Sequence, residues 1–147
     1  MKSYAADKVR NVVLLGHSGS GKTTYAEAAL FYSGATKRFG KVDEGNTVSD
    51  YDPEEIRRKV SISTSVLPVE WQDTKINFLD TPGYFDFVAE SKLAMSVADT
   101  ALIMVSAKSG VEVGTEKAWE YTEEMHLPRI FFVNQMDDEN ADFEKTL

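Results

Sequence analysis

The sequence predicts an α/β domain: a mostly parallel sheet with helices on both faces and one antiparallel edge strand. Two observations predict it. Short apolar runs alternate with helix-forming stretches: VVLL within Val9 to Leu15, TALIMVS from Thr100 to Ser106 and RIFFV from Arg129 to Val133, each fit for a strand buried on both faces. Val60 to Trp71 and Thr74 to Leu79 flank Gln72-Asp73, a plausible tight turn, and supply the antiparallel pair.

Taken in order, Val9 to Leu15 is a strand that ends at Gly16, and Lys22 to Tyr32, KTTYAEAALFY, is a helix rich in helix formers. Ser33 to Lys59 is polar and charged and too long for an ordinary connection, so it is either disordered or a functional loop that orders on binding. After the hairpin come a helix from about Phe85 to Ala98, the Thr100 strand, a helix around Val113 to His126 and the Arg129 strand. In the last helix Val111, Thr115, Ala118, Thr122 and Met125 fall at helical spacing, with Trp119 and Tyr121 beside the stripe. The final DENADFEKTL reads as the opening of a further helix, so the chain is expected to be a fragment. Ligands on such sheets bind beyond the carboxyl ends of the strands.

Composition narrows the function classes. A chain of 147 residues has room for one domain, and a formal charge of −8 argues against a free-standing nucleic-acid binder. No direct DNA binding is expected. The absence of cysteine excludes disulfides, a thiolate nucleophile and Cys-ligated metal, and fits a reducing, cytoplasmic setting. No signal-peptide stretch or run of 18 apolar residues occurs, so no membrane partner is expected.

Gly16-His17-Ser18-Gly19-Ser20-Gly21-Lys22-Thr23 matches GxxxxGK(S/T), after a predicted strand and at the start of a predicted helix. The glycines let backbone N–H groups form an anion nest, to which the helix N-terminus adds partial positive charge. Residues 16 to 24, through Thr24, would cradle phosphates. Lys22 would reach the β and γ phosphates and Thr23 would ligate Mg²⁺. This makes the fold a P-loop nucleotidase.

FLDTPG places Asp80 at the end of another strand, where an aspartate holds Mg²⁺ in such proteins, usually through water. Gly83 has no side chain to keep its N–H from the γ-phosphate. Asn134-Gln135-Met136-Asp137 follows the strand RIFFV, and a carboxylate there would accept the ring N–H and the exocyclic amine of guanine, so Asn134 and Asp137 are expected to read the base. Each piece alone has a plainer reading: a glycine-rich turn, a helix cap, a strand-to-loop turn. Their order along one chain favours a guanine-nucleotide site.

The order GHSGSGKT, DTPG, NQMD, with a long polar loop between the first two, resembles the translational GTPases. The words VRNVVLLGHSGSGKT, SDYDPEEIRRKVSI, INFLDTPGYFDFV, GVEVGTEKAWEY and LPRIFFVNQMD narrow the resemblance to the G domain of elongation factor G and its bacterial factor-G-like paralogues. It implies a GTP-hydrolysing switch that uses GTP, GDP and Mg²⁺ and works with the ribosome. By it, Ser33 to Lys59 is switch I, Ser61 is the hydroxyl that senses Mg²⁺ and the γ-phosphate, and Asp80 to about Phe87 begins switch II. Residues 1–147 would be the N-terminal part of the G domain, lacking its last strand, helix and base-binding loop.

The sequence departs from elongation factor G at several of these positions. Lys59 replaces a glycine, Ser61 a threonine, Gly19 an acidic residue, and Gln135 a lysine whose stem lies along guanine and ribose. Tyr84 stands where the family has its catalytic histidine. A phenol, with an ordinary pKa of about 10, is neutral at pH 7, so it can hydrogen-bond a water but not become a cation there. The catalytic candidates are therefore Lys22, Gly83 and Tyr84, with the alternative that Tyr84 merely packs beside Phe85 and Phe87. Competing functions are a nucleotide-dependent module that hydrolyses slowly or not at all, and an ATPase with a degenerate base site. Remaining residues read as ordinary: His17 as packing or support, His126 as helix-end structure, Trp71 and Trp119 as core, and Asp52 to Lys59 as a solvated face of a mobile loop. Arg57 and Arg58 have the chemistry of an arginine finger in cis, but the resemblance implies activation by the ribosome instead.

Overall fold

The structure is a computed structural model that describes residues 2–146, so the first and last residues of the expected span 1–147 lie outside the described residues. Five strands form one sheet: β1 (Val9–Gly16), β2 (Ser65–Trp71), β3 (Thr74–Asp80), β4 (Thr100–Ser106) and β5 (Arg129–Asn134). Their order is β2-β3-β1-β4-β5, with only β2 antiparallel to its neighbour. The helices are α1 (Lys22–Tyr32), α2 (Pro53–Arg58), α3 (Val88–Met95), α4 (Val113–Glu124) and α5 (Phe143–Thr146).

Strand alternation sends the apolar runs to both faces, which is why they read as continuous. Val13, Leu15, Leu79, Ile103 and Val105 pack on one face with Ala94, Met95, Ala118 and Leu127. Leu14, Leu67, Phe78, Leu102 and Met104 pack on the other with Ala26 and Leu30 of α1. Burying one such large side chain contributes about 1.5–3 kcal/mol. Gln72 and Asp73 both take positive φ, as a two-residue turn matched to the strand twist requires.

The register positions the site. Leu14 lies beside Asp80, Gly16 beside Met104 and Ser106 beside Asn134, so β1, β3, β4 and β5 end along one rim of the sheet. β2 starts there, with Ser65 paired to Asp80.

Several expectations are corrected. The strand expected from Val60 begins at Ser65, because carboxylates take the preceding donors. Ile62 N and Ser63 N donate to Glu55 Oε1 at 2.9 and 3.1 Å, and Thr64 N to Glu90 Oε2 at 2.8 Å. The helix expected over 85–98 is a 3-10 turn, Phe85–Phe87, followed by α3. The chain beyond α3 is drawn onto β1, where Asn11 N donates to Asp99 Oδ2 at 2.7 Å and Asp99 N to Asn11 O at 2.8 Å.

The polar loop is folded: a 3-10 turn at Val42–Glu44 precedes α2, which Asp52 and Glu55 start as a capping box with Pro53 at its first turn. Glu55 is buried rather than part of a solvated face. Trp71 and Trp119 are half-exposed, not core. Trp71 ends the hairpin strand, while Trp119 of α4 stacks on Phe131 at 5.8 Å with the Arg129 guanidinium 3.8 Å above its ring.

Candidate nucleotide site

Gly16 closes β1 with a φ of 137°, and a Cβ there would lie 2.4 Å from the Met104 carbonyl oxygen, so neither backbone angle nor space admits another residue. The loop then turns into α1 at Gly21. A Cβ on Gly21 would meet Asn134 Nδ2 at 2.2 Å. That amide donates to Ser20 O at 2.9 Å, and Gln135 Nε2 donates to Gly19 O at 3.1 Å, so the NQMD segment braces the glycine loop from β5. Gln135 also accepts from the Ser106 hydroxyl. His17 ties the loop to α4, its Nδ1 accepting from Gly114 N at 3.3 Å and its Nε2 lying 3.6 Å from Glu112 Oε1.

Lys22 Nζ donates to Gly16 O at 3.1 Å and His17 O at 2.9 Å, so its ammonium is folded across the loop. Burial pushes its pKa down to about 8, against the pull of Asp80. Burial pushes Asp80 up to about 6, opposed by the Thr23 hydroxyl and Lys22. Asp80 Oδ2 accepts from Thr23 Oγ1 at 2.8 Å, while Oδ1 is buried without a hydrogen-bond partner.

Ser61 Oγ donates to Asp50 Oδ1 at 2.7 Å and lies 3.3 Å from Thr23 Oγ1. Each hydroxyl has one proton, and the shorter bonds claim both. The two oxygens therefore face each other with lone pairs, a charge pattern that suits a cation. Neighbouring ligands of an octahedral Mg²⁺ at about 2.1 Å stand about 3.0 Å apart, close to the observed spacing. With Asp80 bonded to Thr23 through Oδ2 and its Oδ1 orphaned, Thr23, Ser61 and Asp80 fit the ion. No group of three or more His, Cys, Asp or Glu among the described residues is placed to cage a metal. A metal here would therefore draw on the two hydroxyls together with the single carboxylate of Asp80.

A cavity of about 320 Å³ brings together Ser18, Gly19, Gly21, Lys22, Thr23, Thr24, Ser61, Gly83 and Gln135. Gly83 is required to be glycine by space: a Cβ would lie 2.7 Å from Lys22 Nζ and from Ser18 Cα. Thr81 Oγ1 donates to Leu14 O at 2.6 Å and pins the start of that turn. Gly16, His17 and Ser20 are not among the residues that line the cavity, and Asp80 is buried against Thr23. Three predicted residues lie elsewhere. Asn134 spends its amide on the loop, and Asp137 stands exposed in the turn after β5. Tyr84 is half-exposed and lines a separate small hollow with Phe85, Lys117 and Tyr121.

Sequence reasoning missed three carboxylates. Asp50 is buried and raised by that burial, with the Ser61 bond acting the other way. Nothing in an aperiodic loop marks which of Asp50 and Asp52 turns inward. Glu55 was legible as the fourth member of a capping box, Asp52-Pro53-Glu54-Glu55. Glu27 was legible as the helical neighbour of Thr23, four residues on.

The family model described as elongation factor Tu GTP binding domain matches residues 7–147. Ribosome-releasing factor 2, mitochondrial, of Debaryomyces hansenii is 41% identical over 147 residues, all of this chain and 17% of that protein. Its Drosophila melanogaster namesake is 42% identical over 144 residues, 98% of this chain and 19% of that protein. The chain thus spans about a fifth of the length of these curated relatives. A crystal structure of a Thermus thermophilus protein superposes with a TM-score of 0.90 at 44% identity, covering 93% of this chain and 21% of that one. Translation elongation factor SelB of Methanococcus maripaludis, solved with a GTP analogue, shares the fold at a TM-score of 0.71 and 20% identity, covering 99% of this chain and 25% of that one. The cytoplasmic setting expected from composition is overturned by these names, since the curated relatives are mitochondrial proteins. Cysteine content does not separate the two compartments. No helix among the described residues is long and apolar enough to cross a membrane.

Proposed function

The chain belongs to the elongation factor Tu GTP-binding domain family, and from that premise we propose that it binds GTP and GDP with Mg²⁺ and hydrolyses GTP as the switch of an elongation factor G-like protein acting on the ribosome. The observation that carries the reading is the rim itself. Lys22 and Thr23 open α1, Asp80 ends β3, Gly83 stands in the turn after it and Ser61 in the loop between α2 and β2, yet all meet at one end of the sheet.

Phosphoryl transfer needs positioning and charge stabilisation rather than covalent help from protein. The loop N–H groups from Gly16 to Thr24 bind the phosphates, and Lys22, released from its two carbonyls, neutralises them. Thr23, Ser61 and Asp80 would hold Mg²⁺, which supplies positive charge at the β and γ phosphate oxygens when bound. Gly83 offers its N–H to the γ-phosphate, and Tyr84 orients water. Asp137 reads guanine, with Asn134 bracing the loop and Gln135 beside the base. Residues 1–147 are the N-terminal part of the G domain. The exposed Ile130 and Phe131 on β5, one of the sheet's two edge strands, support a further strand and helix beyond it.

The mitochondrial relatives are named for ribosome release, which supports the ribosome as partner. The test is calorimetric titration of the full-length protein with GTP, GDP and ATP, followed by single-turnover hydrolysis with ribosomes. GTP and GDP should bind more tightly than ATP, and tighter ATP binding would sink the guanine assignment. A second reading, a module that hydrolyses slowly, is favoured by the position of Tyr84 outside the cavity. A ribosome-stimulated rate no better than about 10⁻⁴ s⁻¹, the unstimulated scale, would establish it.

A further inference from the structure

Glu27 is fully buried on α1, one helical turn beyond Thr23. A carboxylate out of water must be compensated. Both oxygens of Glu27 are used on the backbone of switch I: Oε2 accepts from Gly40 N at 3.1 Å and Oε1 from Val48 N at 2.6 Å. Gly40 is shaped to this contact, because a Cβ there would stand 2.3 Å from Oε2 and 2.9 Å from Thr47 Cα. Two acceptors facing two N–H donors require a carboxylate. A carboxamide of the same size would turn an NH₂ toward one of them.

The loop beyond this anchor is tied in series. Ser49 O accepts from Ser65 Oγ at 2.8 Å, Asp50 holds the Ser61 hydroxyl, and Ser61 meets Thr23. Glu55 joins Asp52 N to Ile62 N and Ser63 N, so α2 and the segment after it form one block. The circuit starts and ends on α1, at Glu27 and Thr23.

We propose that Glu27 is a positioning residue for hydrolysis, which fixes residues 40–48 of switch I to α1 and thereby sets where Ser61 stands. The role rests on the GTPase reading. A hydrogen bond to a charged group contributes on the order of tenfold or more in an equilibrium, so losing one of the two should displace the loop measurably.

The test compares wild-type, Glu27→Gln and Gly40→Ala forms of the full-length protein, the last perturbing the same contact without altering α1. Hydrogen exchange of amides 40–48 should quicken in both variants without nucleotide. Affinity for a non-hydrolysable GTP analogue and the single-turnover rate with ribosomes should each fall about tenfold. GDP affinity should stay within about twofold, since GDP presents no γ-phosphate to the Ser61 side. Unchanged exchange would overturn the anchor. Equal loss of GDP and GTP-analogue binding would overturn the positioning role, leaving Glu27 as support for the glycine loop. Loosened exchange with unchanged hydrolysis would overturn it as well. Failure of the wild type to bind guanine nucleotide would instead remove the GTPase reading, a result separable from the other three.

Discussion

Gly83 and Lys22 occupy mutually exclusive space: a Cβ on Gly83 would stand 2.7 Å from the Lys22 ammonium nitrogen and equally close to Ser18 Cα. The lysine tip can swing aside, but the Ser18 backbone belongs to a loop held by Asn134 and Gln135. Gly83→Ala should therefore push the switch II turn away from the phosphates while leaving the glycine loop formed. Single-turnover hydrolysis should fall at least about a hundredfold, the scale of losing one oriented donor, with GDP affinity nearly unchanged. Equal loss of both would show that the displaced element is the loop instead.

The facing burial of Lys22 and Asp80 fixes a pH dependence for the nucleotide-free domain. Asp80 is raised to about 6, so the folded state holds its proton more tightly than the unfolded chain, and stability is lost as pH rises from about 4 through 6. Lys22 is lowered to about 8, so stability is present above its ordinary value of 10.5 and is lost as pH falls through 8. Between pH 6 and 8 both costs stand together. Asp80→Asn, which keeps an acceptor for Thr23, should raise unfolding stability by about 1–3 kcal/mol at pH 7 and by little at pH 4. The same variant should bind GTP with Mg²⁺ more weakly, so urea midpoints and nucleotide titrations should move in opposite directions.

Much of this site was legible because its chemistry imposes residue types at fixed places. The glycine loop, Asp80 and Gly83 fall at strand ends, and strand ends follow from apolar runs. The NQMD segment was found for guanine, yet Asn134 is committed to Ser20 O, a tertiary bond that spans 114 positions and that no local pattern encodes. The polar stretch from Ser33 through Thr64 was the least legible part. Its order comes from the buried carboxylates Glu27 and Glu55, and from Glu90, which bond backbone N–H groups. Such bonds leave no apolar period to read, and Val60 to Thr64 looked like strand because their composition is strand-like.

Lys59 ends α2 with a φ of 55°, a conformation that costs a residue with a Cβ about 1 kcal/mol. Its compensation is an exposed contact with Asp43 at 3.4 Å, of a kind that is worth little in water. Lys59→Gly should tighten the end of α2. The Val60 amide, which donates to Glu55 O at 3.1 Å, reports this directly, and its exchange should slow about threefold to fivefold. Faster exchange would mean that the lysine contact outweighs the backbone strain.

If the domain hydrolyses GTP as proposed, Tyr84 is the position at which its rate is tested. It is half-exposed at the start of the Phe85–Phe87 turn and borders the hollow next to Gly83 rather than the cavity. A hydroxyl cannot take up a proton and become a cation near neutral pH, as an imidazole can. Tyr84→His should raise the ribosome-stimulated single-turnover rate by about tenfold to a hundredfold, the low end of what a positioned acid or base contributes. Tyr84→Phe separates the two remaining roles. If the hydroxyl orients water, its loss should slow hydrolysis about tenfold with nucleotide affinity intact. If the ring only packs beside Phe85 and Phe87, the phenylalanine variant should match the wild type in rate and stability, and a rate also unmoved in Tyr84→His would leave position 84 without a part in the chemistry.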